Sequence, residues 1–577
     1  MIRPGRAVVR ACGVGLACLA GGLLLPTVGA GAAAQSTAAA PTLTAELPGT
    51  IGGCDPVGST VTSASTQVLS LVLPSVTQSS PSGSLALADS AVVQAEVVNL
   101  SPLTVQYQLR KGATWVNGRQ IGLQDFITTW HIGAHGNGPS AASYRLVRKV
   151  VRGSAPREVQ VTFTRPTSSW QALFSPLLPA GTSPRALARC SAPNAQVNLS
   201  AGPYVIAASS TSGVILVRNP RWWGAQPPFA WIDIKAESTS SAATALSTVP
   251  AGSLALIERS WVSSQTLAAL VSNPYVSSQV DSSNRLLSLD FSTNHGPTAI
   301  PKVRLAISHL IDRAKLIAST AALVDPRIGV ASSHLVSQGQ PGYGGTIGVP
   351  LAQTTTTTSH AATPTTSASP SSKGIAVARR DLLQAGWHRR GSLWVDRQGR
   401  ALTVGLAVPV DDPWAASAAA ALAQQLSSHG IGVHAIFAPS SAAVASQLRS
   451  GSVGLGLLAR PTDPFIAHAA QWFAVPPTGP SSALWAGYRN QSVSQLAVQA
   501  DQILNASTAQ HLYQSIDHLL WTTMPSLPLY TEPFVTAWTS TLGGVVDNPY
   551  PPGTLAEAPS WVVNSDATVQ TVPPADR

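Results

Sequence analysis

The sequence predicts an α/β protein built from more than one lobe, and three observations lead there. The chain has 577 residues, whereas domains commonly run to about 100–200 residues. Hydrophobic residues make up 44% of it and tryptophan occurs 15 times, enough apolar surface to fill several cores. Segments of alternating apolar residues recur between segments with a helical apolar stripe, and strands interleaved with helices mark an α/β protein.

The N-terminus stands apart. Arg3, Arg6 and Arg10 precede an apolar run from Ala11 to Val28, and Ala30-Gly31-Ala32 and Ala32-Ala33-Ala34 both offer small residues for cleavage. Residues 1–34 therefore read as a secretory signal peptide. A retained membrane anchor stays open, although the glycines weaken it as a span. Lipidation stays open too, because Leu16-Ala17-Cys18 resembles part of a lipobox, yet apolar residues continue beyond it. Ala34 to Thr42 is a tether of small and polar residues.

Beyond the tether, TVQYQL (Thr104–Leu109) and EVQVTF (Glu158–Phe163) alternate as strands, and Val214–Val217 and Trp231–Ile234 are further strand candidates. KVRLAISHLIDRAKLI, Lys302 to Ile317, repeats apolar residues at helical spacing from Val303 to Ala314. It predicts one long helix with Pro301 in its first turn. Further helices are predicted over Ala376–Ala385, closed by Gly386, over Ala415–Ser428, and around Val493–Ile503. Gly432–Phe437 reads as a strand. Residues 353–373, QTTTTTSHAATPTTSASPSSK, lack periodicity and large apolar side chains, so they read as a disordered insertion.

After residue 34 there are 32 basic and 25 acidic residues. They read as scattered, without a block of Lys or Arg, which argues against a nucleic-acid partner. Cys54 and Cys190 are the two cysteines left beyond the signal. In an exported chain they suggest one disulfide, with two buried free thiols as the alternative. The motifs of catalysis are missing. No G-x-S-x-G nucleophile turn and no G-x-x-x-x-G-K phosphate loop occurs. His131 and His135 are four apart, but Ile132 stands where a zinc hydrolase needs its acid, and HIGAHGNGPS reads as a loop. No metal and no cofactor is implied. The chain reads as a non-enzyme, with a secreted hydrolase as a distant alternative.

Several segments then resemble one family in its own order. VQYQLRKGATWVNGRQIGLQDFITTW (Val105–Trp130) carries Leu109, Arg110, Gly112, Trp115, Gly118 and Asp125 at matching places. AGPYVI with VRNPRWWG, Asn294 with PKVRLAISHLIDRAKL, ARRDLLQAGW and MPSLPLY follow. Together they are similar to the family 5 extracellular solute-binding proteins of ABC importers, the oligopeptide- and dipeptide-binding group, in an actinobacterial, LpqW-like branch. The resemblance implies an α/β, two-lobed periplasmic-binding-protein type II fold with an interlobe ligand cleft and a hinge. It implies a first lobe from 35–75, 186–288 and 528–577, a subdomain at 76–185, and a second lobe at 289–527. Hinge strands are expected near Leu286–Asn294 and Leu527–Glu532. It further implies a small-molecule or peptide-like ligand, an ABC permease partner, a monomer, and a place in the cell envelope or outside the cell, with N-terminal anchoring open. A cell-envelope regulator on the same fold is the second reading. Trp115, Tyr204, Trp222 and Trp223 read as scaffold.

The resemblance also points at LLARPTDPF, Leu457–Phe465. Peptide binders of the family carry an acid there that takes the peptide amine, whereas this chain has Arg460. An arginine fork favours carboxylate or phosphate, so an anionic or non-peptide ligand is expected. The alternative is an internal pairing of Arg460 with Asp463 or another acid. Arg460, Asp463, Asn294 and Trp472 are the candidate ligand contacts, and Trp387 is a further candidate for the cleft wall.

Overall fold

The computed structural model describes residues 41–59, 61–237, 242–247, 254–340, 343, 372–462, 464–475 and 487–564. The expected signal with Cys18, residues 353–371 of the insertion, and Asp463 lie outside the described residues. Ser372 and Lys373, placed in the insertion by composition, instead open the helix Ser372–Gln384, which is anchored by buried Ala378 and Leu382.

A sheet of ten strands organises the molecule. Its order is Gly432–Ala438, Thr403–Pro409, Leu455–Pro461, Val276–Phe291, Ser526–Thr539, Leu254–Arg259, Thr42–Leu47, Trp231–Ala236, Gly213–Arg218 and Tyr204–Ser209. Thr42–Leu47 runs parallel to both its neighbours. Strands covered on both faces read as continuous apolar runs, and Leu254–Arg259 is buried at every position.

Val276–Phe291 and Ser526–Thr539 are the long strands that carry the sheet from one half to the other. They pair antiparallel from Val276 opposite Thr539 to Asp290 opposite Ser526. Beyond them, Leu254–Arg259 pairs only with the Val535–Trp538 end, and Leu455–Pro461 only with the Arg285–Phe291 end. The shared ladder is interrupted after Ser282 opposite Pro533, and again at Ser288 opposite Pro528. Proline has no N–H to donate to a ladder, so both breaks are written in the sequence. The first break lies a few residues from the expected hinge segments.

Two large apolar cores flank this junction. One joins Leu43, Ala45 and Leu47 to Val68 and Val72 of the helix Ser63–Val72, and to the sheet Val92–Leu100, Leu103–Leu109, Glu158–Phe163 and Val147–Arg152. There Tyr107, Phe126 and Phe174 pack with ring centroids 4.8–5.6 Å apart. The other core gathers Val303, Ala306, Ile307 and Leu310 with Leu406, Val408, Leu422 and Leu457. Ala242, Leu246 and Leu270 belong to this second core as well.

Two expectations are corrected. The predicted long helix is two: Pro301–Leu310, then Arg313–Ala318. Ile311 turns extended, and the Asp312 carboxylate accepts the Lys315 N–H at 2.9 Å. An N-cap acid starts a new helix where apolar spacing alone continues the old one. His131 and His135 lie not in a loop but on the helix Leu123–His135, whose start is fixed by Asp125 accepting from Gly122 N at 2.8 Å and from Arg119 at 2.6 Å. Among the described residues, no helix is long and apolar enough to cross a membrane.

Cys54 and Cys190 form a disulfide with Cα atoms 5.6 Å apart across a sequence separation of 136. A cross-link over so long a loop restricts the unfolded chain strongly. Cys54→Ser/Cys190→Ser is expected to cost about 3–5 kcal/mol, read as a lower urea midpoint than the oxidised wild type and as loss of the difference on adding reductant.

Candidate functional site

A cleft of about 2440 Å³ opens at the junction of the two halves. Pockets for drug-sized ligands run to about 300–1,000 Å³, so this one has room for an extended molecule. One wall comes from the helix Ser63–Val72, Tyr144, Arg145 and the Trp222–Trp223 pair, and the other from Asp411–Trp414, Thr462, Phe465 and Trp472. Its floor is the ladder break itself, with Ser283, Asn284, Arg285 and Glu532.

Charge is concentrated on that floor. Arg285 Nε lies 2.7 Å from Glu532 and its Nη2 lies 2.6 Å from Asp412. Asp412 also caps the helix Pro413–Ser428 by accepting Ala415 N–H at 3.1 Å. One guanidinium thus serves two carboxylates. Burial pushes Glu532 up to about 8, against the pull of Arg285 and with the push of Asp412.

A second buried acid reaches the same cavity. Glu258 is fully buried in the strand Leu254–Arg259. Gln67 Nε2 donates to its Oε2 at 2.5 Å, while Oε1 has no hydrogen-bond partner among the described residues. Burial pushes Glu258 up to about 7, with Asp547 adding repulsion. Arg259, next in sequence, faces away and pairs with Glu46 at 2.8 Å and Glu237 at 3.4 Å.

The wall as a whole is acidic. Among the described residues, seven Asp or Glu line the cleft against four arginines, the opposite sign to the chain. Each arginine already has a partner. Arg110 meets Asp89 at 2.5 Å and stacks on Trp223 at 5.2 Å. Arg145 donates to the Ala134 and Gly136 carbonyls, Arg165 lies 3.5 Å from Asp501, and Arg285 holds its two acids. Asp411 is exposed in the cleft and has no cation beside it among the described residues.

The candidate contacts separate. Trp472 lines the cleft. Asn294 is exposed and outside the cleft lining, its Oδ1 accepting from Ser292. Asp463 lies outside the described residues, between cleft-lining Thr462 and Pro464. Arg460 stands behind the wall and is only 4% exposed. Its Nη1 lies 3.3 Å from Asp290 Oδ1, its Nη2 donates to Ser526 Oγ at 3.1 Å, and its guanidinium sits 4.9 Å from the Phe473 ring centre. Arg460 thus makes the internal ion pair named as the alternative, and the partner acid is Asp290. Trp387 packs against the second core and is not in the cleft lining. Trp115 and Tyr204 are fully buried, as scaffold, whereas Trp222 and Trp223 reach the cleft. Arg285, Glu258, Glu532 and Asp412 are not among the residues expected from the sequence, although each is a charge beside or within an apolar strand-like run. Among the described residues no three His, Cys, Asp or Glu side chains converge as a metal site.

The sequence profile of the bacterial extracellular solute-binding proteins, family 5 (middle region), matches residues 85–482. The oligopeptide-binding protein OppA of Mycobacterium tuberculosis is 25% identical over 340 residues, covering 56% of this chain and 52% of that protein. The probable monoacyl phosphatidylinositol tetramannoside-binding protein LpqW of the same species is 26% identical over 300 residues, covering 48% and 44%. The chain thus spans about half the length of the curated relatives it matches. Among solved structures, the periplasmic EDTA-binding protein EppA superposes with a TM-score of 0.78 at 19% identity, covering 91% of this chain and 96% of that one. That likeness, in a two-lobed fold, agrees with the sheet and cleft described above. The chain belongs to the bacterial extracellular solute-binding proteins, family 5.

Proposed function

We propose that the protein is the solute-capturing component of an ABC import system and takes an extended ligand with a cationic group, of the peptide class, into the cleft. The observation that carries this reading is the acidic wall. Three of the four lining arginines are paired with acids and Arg145 is held by backbone carbonyls, while Asp411 and Glu258 have no cation beside them among the described residues. A cation leaving water for a closed cleft needs such a charge partner. The expectation of an anionic ligand rested on Arg460, which is neutralised by Asp290 behind the wall. Family 5 binding proteins are exported, bind small ligands or peptides, and work with ABC permeases. For this chain, capture as a monomer at the cell envelope, without chemistry on the ligand, completes the proposal. Closing of the two lobes about the interrupted ladder would enclose the ligand.

The test is a titration of ligand-stripped protein followed by the fluorescence of the cleft tryptophans. A short peptide with a free amine is expected to bind at least about tenfold more tightly than its N-acetylated form, a difference of about 1.4 kcal/mol. Equal affinity, or preference for an acetylated or phosphorylated ligand, overturns the reading. The similarity to LpqW favours a second reading, capture of a glycolipid headgroup on the Trp222, Trp223 and Trp472 surfaces. Native mass spectrometry of protein recovered from its host separates the two by the mass of what co-purifies.

A further inference from the structure

The basic residues, which read as scattered, are in fact concentrated in one stretch of the chain. The window Lys373–Arg400 holds seven basic residues against two acids, and the remainder of the chain after residue 34 is nearly balanced, 25 against 23. The window forms the helix Ser372–Gln384 and, directly after it in the chain, the hairpin His388–Arg390 and Leu393–Val395. All seven basic residues are exposed.

Both acids are neutralised within or beside the window. Asp381 is buried against Lys302 at 3.8 Å and Arg380 at 3.6 Å, and Asp396 is held by Arg400 at 2.7 Å. Arg389 lies over Trp394 at 5.5 Å and donates to the His429 carbonyl at 2.9 Å. Arg379, Arg390 and Arg397 have no acidic partner among the described residues.

Aliphatic side chains are exposed among these arginines: Ile375 at 38%, Leu383 at 50% and Leu393 at 45%. Ile375, Arg379 and Leu383 are spaced four apart and so share one helix face. Arg390 and Leu393 are directly opposite at the hairpin turn and so share one face of the ribbon. A soluble anionic polymer would meet the arginines and leave the aliphatics in water. An anionic bilayer takes both, with phosphates for the guanidinium forks and the acyl boundary for the aliphatics.

We propose that this helix and hairpin dock the protein on an anionic phospholipid bilayer. The surface is separate from the ligand cleft, so the proposal does not depend on what the cleft captures.

The test is co-sedimentation of protein recovered after export with phosphatidylglycerol–phosphatidylcholine vesicles, beside pure phosphatidylcholine vesicles and soluble polyglutamate. Wild type is expected to bind the anionic vesicles and to be released by salt. Each unpaired arginine near such a surface is worth a factor of about five, so Arg379→Gln/Arg390→Gln/Arg397→Gln should weaken binding roughly a hundredfold. Leu383→Ala/Leu393→Ala should weaken it without changing its salt dependence. The charge-matched control Arg148→Gln/Arg185→Gln/Arg189→Gln, exposed in the first half of the chain, should bind as wild type does. Equal binding by wild type and the first triple variant overturns the proposal, as does an equal loss in the control. Binding to polyglutamate as tight as to vesicles overturns the bilayer as the partner.

Discussion

Replacing Arg460 with leucine is expected to destabilise the fold by about 3–5 kcal/mol at neutral pH, the usual penalty for leaving one partner of a buried ion pair alone. The stranded partner is Asp290, 1% exposed on the strand Val276–Phe291. Burial already raises its pKa, and Arg460 is the main influence pulling it down, helped by Ser288 and His334. Without the arginine, Asp290 is raised further and becomes easier to protonate. The loss should therefore shrink as pH falls, because a protonated Asp290 leaves no buried charge. Arg460→Leu/Asp290→Asn should recover much of the single-variant loss, since removing both charges avoids the desolvation of either. Urea unfolding of wild type, both single variants and the double variant at acidic and neutral pH measures these differences. Ligand affinity of the folded single variant should stay as in wild type. A variant that keeps its stability and loses its ligand would return Arg460 to the cleft.

The same residue shows where sequence reading stops. The run Leu457–Arg460 reads as an apolar strand ending in a cation, and the family pattern puts an acid at that corner. Nothing local reveals that Asp290, far back in the chain, faces the guanidinium across paired strands. An apolar strand buried on both faces needs a partner for any charge it carries, and that partner is supplied by topology. The need holds equally for Glu258 and Arg259 at the end of LALIER, and for Glu532 in PLYTEPF, and these are the charges that reach the cleft or pair behind it. Patterns carried by spacing are legible: the strands around Val105 and Val159, the helix near Ala415, the cap at Gly386. What depends on one side chain overriding the period is not, as at Asp312. Pro528 and Pro533 are plain in the sequence, but their meaning as ladder breaks needs the opposing strand.

Glu258→Gln is expected to make the protein's stability less sensitive to pH. In the unfolded chain this carboxyl ionises near 4.5, and in the folded protein only near 7. Below the lower value both states hold the proton and the group favours neither. As pH rises between the two values, the unfolded chain releases its proton while the folded protein keeps it, so the unfolded state gains and stability falls. Above about 7 both are ionised and the loss is complete. Glutamine keeps the shape and an oxygen for Gln67 but cannot ionise, so this fall is absent. Each pH unit separating the two ionisations is worth about 1.36 kcal/mol, so the variant should gain on wild type by about 3 kcal/mol between roughly pH 4.5 and pH 8. Glu532, raised to about 8, and Asp547, raised to about 6, act in the same direction. They do so in both proteins, and therefore largely cancel from the comparison. Paired unfolding curves across that pH range decide the matter: parallel pH dependences would show that Glu258 ionises in the fold as it does in the unfolded chain.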